Sequence, residues 1–437
     1  MFHPTGFADL AGRRVGVLGY GREGRATEAR LRSVGAEVVV VDDDPAVGVL
    51  VTGDGGLKAL ATCDVVLKGP GIARRRADVA SLRERVPVTS ALNLWFGETD
   101  RSRVIAVTGT KGKSTTTALA VHALTCLGVR ARAVGNIGQP PYDPALDAWS
   151  GYSVVEVSSY QAPEIEWAPA VVALTSLGSD HLDWHGSLDQ YHADKLSLTR
   201  AAGPHVTVIA DQPELVARAD LLGGVVELAG PIELASALHL AGAHNDGNVG
   251  VAVAAVAALL GRARADVAAA LVAGAARFVP LPGRLSVVAT EDRPGGRLRY
   301  VDDGLATAPL PAVAALAVFA AEPVALIAGG HDRGVDYAPL ASALAGRAAP
   351  TLVVALGPAG ARIAAAVRSA APDVAVVEAD DLDQAVTRAR AFLPAGGVVL
   401  LSPAAPSFDR YRNWEERSAD FARAARDAGS LGRDSNP

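Results

Sequence analysis

Between Val104 and Thr117 the chain reads Val-Ile-Ala-Val-Thr-Gly-Thr-Lys-Gly-Lys-Ser-Thr-Thr-Thr. The apolar run Val104 to Val107 has the character of a buried strand. A glycine-rich turn follows, then Lys113-Ser114, then a helix-forming stretch from Thr115 to Leu127. A strand, a tight turn and a helix start in that order make a phosphate-binding loop. Backbone N–H groups and the helix N-terminus face phosphate oxygens, the lysine adds a point charge, and the serine hydroxyl can ligate Mg²⁺. The common form of the loop has a glycine five residues before Gly112, and that position is Val107. What remains is Gly109-Thr110-Lys111-Gly112-Lys113-Ser114. The rival reading, a Gly/Thr turn that binds nothing, is disfavoured by the strand before it and the helix after it.

A chain of 437 residues is long enough for two to four domains, each with its own core. Ala, Val, Leu and Gly dominate, which suits α/β layers. A net charge of −6 argues against a general nucleic-acid surface, so no nucleic-acid partner is expected. Two cysteines, Cys63 and Cys126, fit a reduced compartment without a structural disulfide. The N-terminus lacks the basic-then-apolar order of a signal peptide. The most apolar stretch, Val249 to Leu260, is too short to span a bilayer and reads as a buried helix. These features predict a soluble cytoplasmic protein with no membrane partner. Of 41 basic residues only five are lysine: Lys58, Lys68, Lys111, Lys113 and Lys195. A lysine kept in so arginine-rich a chain points to what arginine cannot offer, a compact ammonium or an amine that can be neutral and react.

Three α/β stretches follow one another. In the first, Arg14 to Gly19 is a strand, Arg22 to Val34 a helix, Glu37 to Val41 a second strand and Val65 to Lys68 another. The second contains the phosphate loop and strands at Ser153 to Val157, Val171 to Thr175 and Val206 to Ile209. The third begins after Leu281-Pro-Gly-Arg284, with strands at Leu298 to Val301, Val324 to Ile327, Thr351 to Ala355, Val374 to Val377 and Val398 to Leu401. The fold class is therefore α/β with three domains, 1–97, 98–280 and 281–437: Rossmann-like, P-loop NTPase-like and again Rossmann-like. Residues 431–437 read as a frayed tail.

Four constellations carry chemistry. Gly19-Tyr-Gly21-Arg-Glu-Gly24 lies between a strand and a helix, and Asp42 ends the next strand; this is a dinucleotide fingerprint or, failing that, turn geometry. Glu156, in Glu156-Val-Ser158-Ser159-Tyr-Gln161, ends a strand after the phosphate loop, placed to hold Mg²⁺ or to cap the next helix. Ser179-Asp180-His181-Leu-Asp183-Trp-His185 precedes Tyr191-His192-Ala-Asp194-Lys195. Its three histidines invite a zinc reading, but no cysteine is near and an oxygen-rich Mg²⁺ site fits phosphate chemistry better. Asn245 and Asn248 stand at a helix start, where an amide binds a base or caps the helix. A nicotinamide dehydrogenase built on Gly19 to Asp42 has no need of the second nucleotide site at Gly109.

Taken together and in this order, these motifs resemble the Mur ligase family over nearly the whole chain. The resemblance implies an ATP-dependent, ADP-forming amide ligase of peptidoglycan precursor synthesis. It would add glutamate to UDP-N-acetylmuramoyl-L-alanine through an acyl phosphate. It assigns ATP to Gly109, Thr110, Lys111, Gly112, Lys113, Ser114 and Thr115, with Asn245, Arg284 and Asp303 falling where the nucleotide is gripped between the second and third domains. It assigns Mg²⁺ to Ser114, Glu156, His181 and Lys195, the last as a carbamylated lysine. Lys113, His181 and Lys195 are the catalytic candidates. Arg22, Asp42 and Gly71 would hold uridine and diphosphate in the N-terminal domain, and Asn136 and Ser158 would contact the rest of the UDP-substrate. Thr307, Arg333, Ser407 and Trp414 would face the incoming amino acid. A monomer is expected.

Departures from the family pattern cluster in the third stretch. A usual Asp-Ser-Lys-Ala-Thr-Asn is here Asp303-Gly-Leu305-Ala-Thr307-Ala308, a His-Arg pair is Gly283-Arg284, a lysine is Arg333, and a phenylalanine is Trp414. The resemblance implies that these residues surround the incoming amino acid. The pattern favours L-glutamate, with a separate epimerase acting on the product, over the D-glutamate alternative. A folate-extending ligase is the nearest rival, and the N-terminal Rossmann unit argues against it.

Overall fold

The computed structural model describes residues 2–430; the tail 431–437, expected to fray, lies outside the described residues. Three sheets organise the chain. The first contains β1 (Arg14–Leu18), β2 (Glu37–Asp42), β3 (Leu50–Val51), β4 (Val65–Lys68) and β5 (Val88–Thr89), all parallel in the order β3-β2-β1-β4-β5. The second contains β6 (Val104–Thr108), β7 (Ala131–Gly135), β8 (Tyr152–Glu156), β9 (Val171–Leu174), β10 (Val206–Ala210) and β11 (Val225–Ala229), parallel in the order β11-β10-β9-β6-β8-β7. The third contains β12 (Ser286–Arg293), β13 (Gly296–Asp302), β14 (Val324–Gly329), β15 (Thr351–Leu356), β16 (Ala375–Ala379) and β17 (Gly397–Leu401), ordered β12-β13-β17-β14-β15-β16. There β12 and β13 form an antiparallel hairpin and the other pairs are parallel.

The central strands β6, β9 and β14 are buried at every position and show no in–out alternation. That is the pattern of parallel sheets covered by helices on both faces. The strands not anticipated from sequence are the two-residue β3 and β5 and the longer β7, β11 and β12. Each is an edge strand that is not buried throughout, and an edge need not be uniformly apolar.

The chain forms two compact units. One holds the first two sheets, up to Ile232, together with Asp246–Ala275; the other holds Glu233–Asn245 and everything from Ala276 onward. Within the first unit the two sheets share one core, in which Val15, Val17 and Phe96 join Ala106, Val155 and Val172. The helix Ala91–Glu98 buries Leu92, Leu94, Trp95 and Phe96 in that core. The Glu164 carboxylate adds a polar tie, facing Arg83 at 3.0 Å and the buried Lys68 ammonium at 3.5 Å. The apolar stretch Val249 to Leu260 belongs to the helix His244–Leu260, buried from Val249 through Ala257. Among the described residues no helix is long and apolar enough to cross a membrane.

Candidate active site

The phosphate loop leaves the carboxyl end of β6. Gly109 adopts φ +146°, a conformation open to glycine and strained for other residues. The loop is held against the end of β9: Thr110 N–H donates to Ser176 O and Lys111 N–H to Ser176 Oγ, each at 2.8 Å. The helix Lys113–Cys126 starts two residues earlier than the sequence pattern suggests. Lys113, Ser114 and Thr115 therefore form its first turn, where N–H groups lack intrahelical acceptors and favour an anion.

Ser114 and Glu156 are both about 1% exposed, and the Ser114 hydroxyl donates to the Glu156 carboxylate. The other Glu156 oxygen accepts from the Asn136 amide at 2.7 Å. Lys195 is buried on the helix Leu188–Leu196, and its Nζ donates to Gly109 O at 2.9 Å. Lys113 Nζ donates to the same carbonyl at 2.9 Å. Burial first, and the neighbouring Lys113 charge second, hold the Lys195 amine well below the usual lysine range. The amine is thereby biased toward its neutral, nucleophilic form.

His181 is placed differently. Its side chain is half exposed, beside Asp180, which Lys111 also faces at 3.3 Å. The three histidines do not converge. His185 is enclosed between Ser159 and Asp194, and His192 bonds Gly178 O at 2.8 Å. Among the described residues no three His, Cys, Asp or Glu side chains are grouped to hold a metal. The oxygens of the Ser114 hydroxyl and the Glu156 carboxylate beside a helix N-terminus instead suit a hard cation shared with phosphates.

Arg22, Asp42 and Gly71 come together in a cleft of about 330 Å³ at the carboxyl edge of the first sheet. Asp42 accepts the N–H of Asp44 at 2.9 Å. Asn136 links this cleft to the phosphate loop, because its carbonyl accepts from Arg22 at 3.0 Å while its amide reaches Glu156. Ser158 is bound to Gln161, whose amide donates to Glu23 at 2.8 Å. Burial raises the Glu23 carboxyl above its ordinary range. Sequence reasoning assigned no role to Gln161, Glu23, Ser159 or Asp194 and weighed His185 only as a zinc candidate; their pairings join residues that are not neighbours in the chain, and only the repeated polar residues around 158–161 and 180–195 hinted at them.

The second compact unit carries the remaining candidates. Asp303 follows β13, accepts from Ser402 Oγ at 2.8 Å, and is pushed up to about 7 by burial. The buried Asn245 donates to Ala241 O at 2.7 Å. Arg284 and Arg333 are exposed, Thr307 is half-buried and Ser407 is buried. Trp414 packs over Gly283: a Cβ added there would lie 2.6 Å from the indole, and φ is +70°. The indole fills the space a side chain at 283 would need. Gly283→Ala is expected to cost about 1–3 kcal/mol through strain and contact, read as a lower melting temperature; an unchanged melt would show that the indole moves aside freely.

The chain matches the Mur ligase middle domain over residues 107–223. It is 40% identical to the UDP-N-acetylmuramoyl-L-alanine--L-glutamate ligase of Salinispora tropica, over 96% of this chain and 99% of that one. It is 36% identical to the enzyme of that name from Xanthomonas axonopodis, over 96% of each. Its fold is similar to a UDP-N-acetylmuramate-alanine ligase from Thermotoga maritima, with TM-score 0.53, 20% identity, and 95% and 100% of the two chains covered. It is also similar to the MurF ligase of that organism in complex with ADP, with TM-score 0.55, 16% identity, and 97% of each chain covered.

Proposed function

This chain belongs to the Mur ligase family, and from that premise we propose that it joins L-glutamate to UDP-N-acetylmuramoyl-L-alanine with cleavage of ATP to ADP and phosphate. The observation that carries the chemistry is the meeting of Ser114, Glu156, Lys113 and Lys195 around the Gly109 loop. The near full-length identity to relatives named for L-glutamate supports the choice of amino acid.

In this reading 1–97 binds the UDP end, 98–280 binds ATP, and 281–437 receives the amino acid. Arg22, Asp42 and Gly71 hold uridine and diphosphate, and Asn136 and Ser158 guide the muramoyl-alanine toward the phosphate loop. Gly109 through Thr115 wrap the ATP phosphates, with Asn245, Arg284 and Asp303 on the nucleotide. The alanine carboxylate attacks the γ-phosphorus, ADP leaves, and an acyl phosphate forms. Lys113 offsets the charge that develops on the transferring group. The glutamate amine, steered by Thr307, Arg333, Ser407 and Trp414, then attacks the acyl carbon. The tetrahedral intermediate expels phosphate and the nitrogen loses its proton. Activation replaces a poor leaving group, oxide, with a good one.

Ser114, Glu156, His181 and Lys195 would hold Mg²⁺, which supplies Lewis-acid charge stabilisation at the phosphates. Lys195 serves as a carbamate: its neutral amine attacks CO₂, a proton is released, and an anionic oxygen ligand results. Burial and the Lys113 charge support this by favouring the neutral amine. The enzyme acts as a cytoplasmic monomer, and an epimerase inverts the newly added residue in a later step.

The test is product analysis with UDP-N-acetylmuramoyl-L-alanine, ATP and either enantiomer of glutamate. L-Glutamate is expected to give the ADP-coupled amide product. Product from D-glutamate alone would overturn the assignment of the amino acid while leaving the ligase chemistry standing.

A further inference from the structure

His185 is the centre of a line of three side chains. With the proton on Nδ1, it donates to the Asp194 carboxylate at 2.6 Å, and its Nε2 accepts from the Ser159 hydroxyl at 3.0 Å. Asp194 also accepts from the Gln190 amide at 2.7 Å. These are the contacts of a hydrolytic serine–histidine–aspartate set. Burial excludes that use. The His185 side chain is fully enclosed and Ser159 is 4% exposed. The rings of Tyr160, Trp184 and Tyr191 lie 5.7, 4.5 and 5.1 Å from the imidazole. A hydroxyl sealed in this way meets no substrate. A buried, satisfied hydrogen-bond line holds geometry instead.

What it holds is defined by where its members sit in the chain. Ser159 is three residues beyond Glu156, on the turn that leaves β8. His185 closes the short helix Leu182–His185, and its N–H donates to His181 O at 3.1 Å. Asp194 immediately precedes Lys195. His181 itself has φ +49°, an uncommon conformation for a non-glycine residue that persists only where its surroundings enforce it. Three separate segments, each carrying one of the residues assigned above to Mg²⁺, are therefore tied to one imidazole.

We propose that Ser159, His185 and Asp194 form a positioning clamp that sets the spacing of Glu156, His181 and Lys195 for the metal–nucleotide complex. The clamp rests on the function proposed above. It touches no reacting atom. Its loss should weaken metal binding and leave recognition of the amino acid alone. Partners that orient metal ligands are typically worth about 10- to 100-fold in metal affinity.

The test uses the full-length enzyme, Ser159→Ala and His185→Gln. Mn²⁺ is titrated calorimetrically with ADP present, alongside the Mg²⁺ dependence of phosphate release, the KM for glutamate, and thermal melting. The clamp predicts a rise of about 10-fold or more in the half-saturating metal concentration for both variants, with the KM for glutamate essentially unchanged. Wild-type metal affinity in folded His185→Gln would overturn it. If His185→Gln does not fold, Ser159→Ala decides, because it removes one end of the line and leaves the imidazole–carboxylate pair in place. A parallel loss of glutamate affinity would also overturn it, since general loosening of the site affects every ligand. Wild-type enzyme that binds neither ADP nor metal overturns the proposed function and the clamp together, whereas normal wild-type behaviour with unresponsive variants sinks the clamp alone.

Discussion

Lys195→Ala is expected to lower ATP-dependent product formation by about 10³-fold, the scale of removing a preorganised group from a charge-stabilising site. Added acetate or another short carboxylic acid should restore a measurable part of the rate. The side chain is 1% exposed and bonded to the Gly109 carbonyl, so truncation leaves a small buried space beside the phosphate loop. A free carboxylate entering that space replaces the oxygen ligand that carbamylation would create. Lys195→Arg should be inactive and beyond such rescue, because a guanidinium stays charged, fills the space and does not take up CO₂. Full activity in Lys195→Ala would end the carbamate reading.

Gly109→Ala is expected to abolish tight ADP binding. A Cβ there would lie 2.1 Å from Thr175 Oγ1 and 2.9 Å from Ser176 N, at a φ of +146°. Turning the Thr175 hydroxyl aside would break its hydrogen bonds to Thr108 O and Lys111 O, and the Ser176 contact is to backbone, so relief of both displaces the loop from the end of β9. The Gly109 carbonyl also receives both Lys113 and Lys195, so its displacement shifts two amines together. A misplacement of about 1 Å in such a site costs on the order of 10²-fold in rate. Calorimetric titration with ADP and a thermal melt of the same sample separate loss of the loop from loss of the fold. Wild-type affinity in the variant would mean that the loop carries no phosphate.

The phosphate loop and the alternating α/β pattern were legible in the sequence because both rest on local order. An apolar run, a glycine turn and a helix start are contiguous in the chain. The central strands were legible for the same reason, since β6, β9 and β14 are apolar without interruption. The edge strands β7, β11 and β12 were not, because half-exposed strands dilute the apolar signal. Glu156 and Lys195 were singled out from position and composition. That Ser114 and Asn136 both bond Glu156, and that Lys195 reaches Gly109, depends on separations of 42, 20 and 86 residues, which no local pattern records.

The histidines show the division most clearly. From the residues alone, His181, His185 and His192 invited a shared zinc site that the absence of a nearby cysteine disfavoured, and only the family resemblance singled out His181 as a Mg²⁺ ligand. In the fold they part: His181 stands half exposed beside Asp180, His185 is sealed between Ser159 and Asp194, and His192 braces the Gly178 carbonyl. By itself the sequence determined that this chain is a layered α/β protein with a phosphate-gripping turn, because backbone conformation and burial pattern are set by neighbours along the chain. Only the tertiary structure decided which polar side chains face one another and which are closed off from solvent, because hydrogen bonding and desolvation depend on residues that folding alone brings within reach.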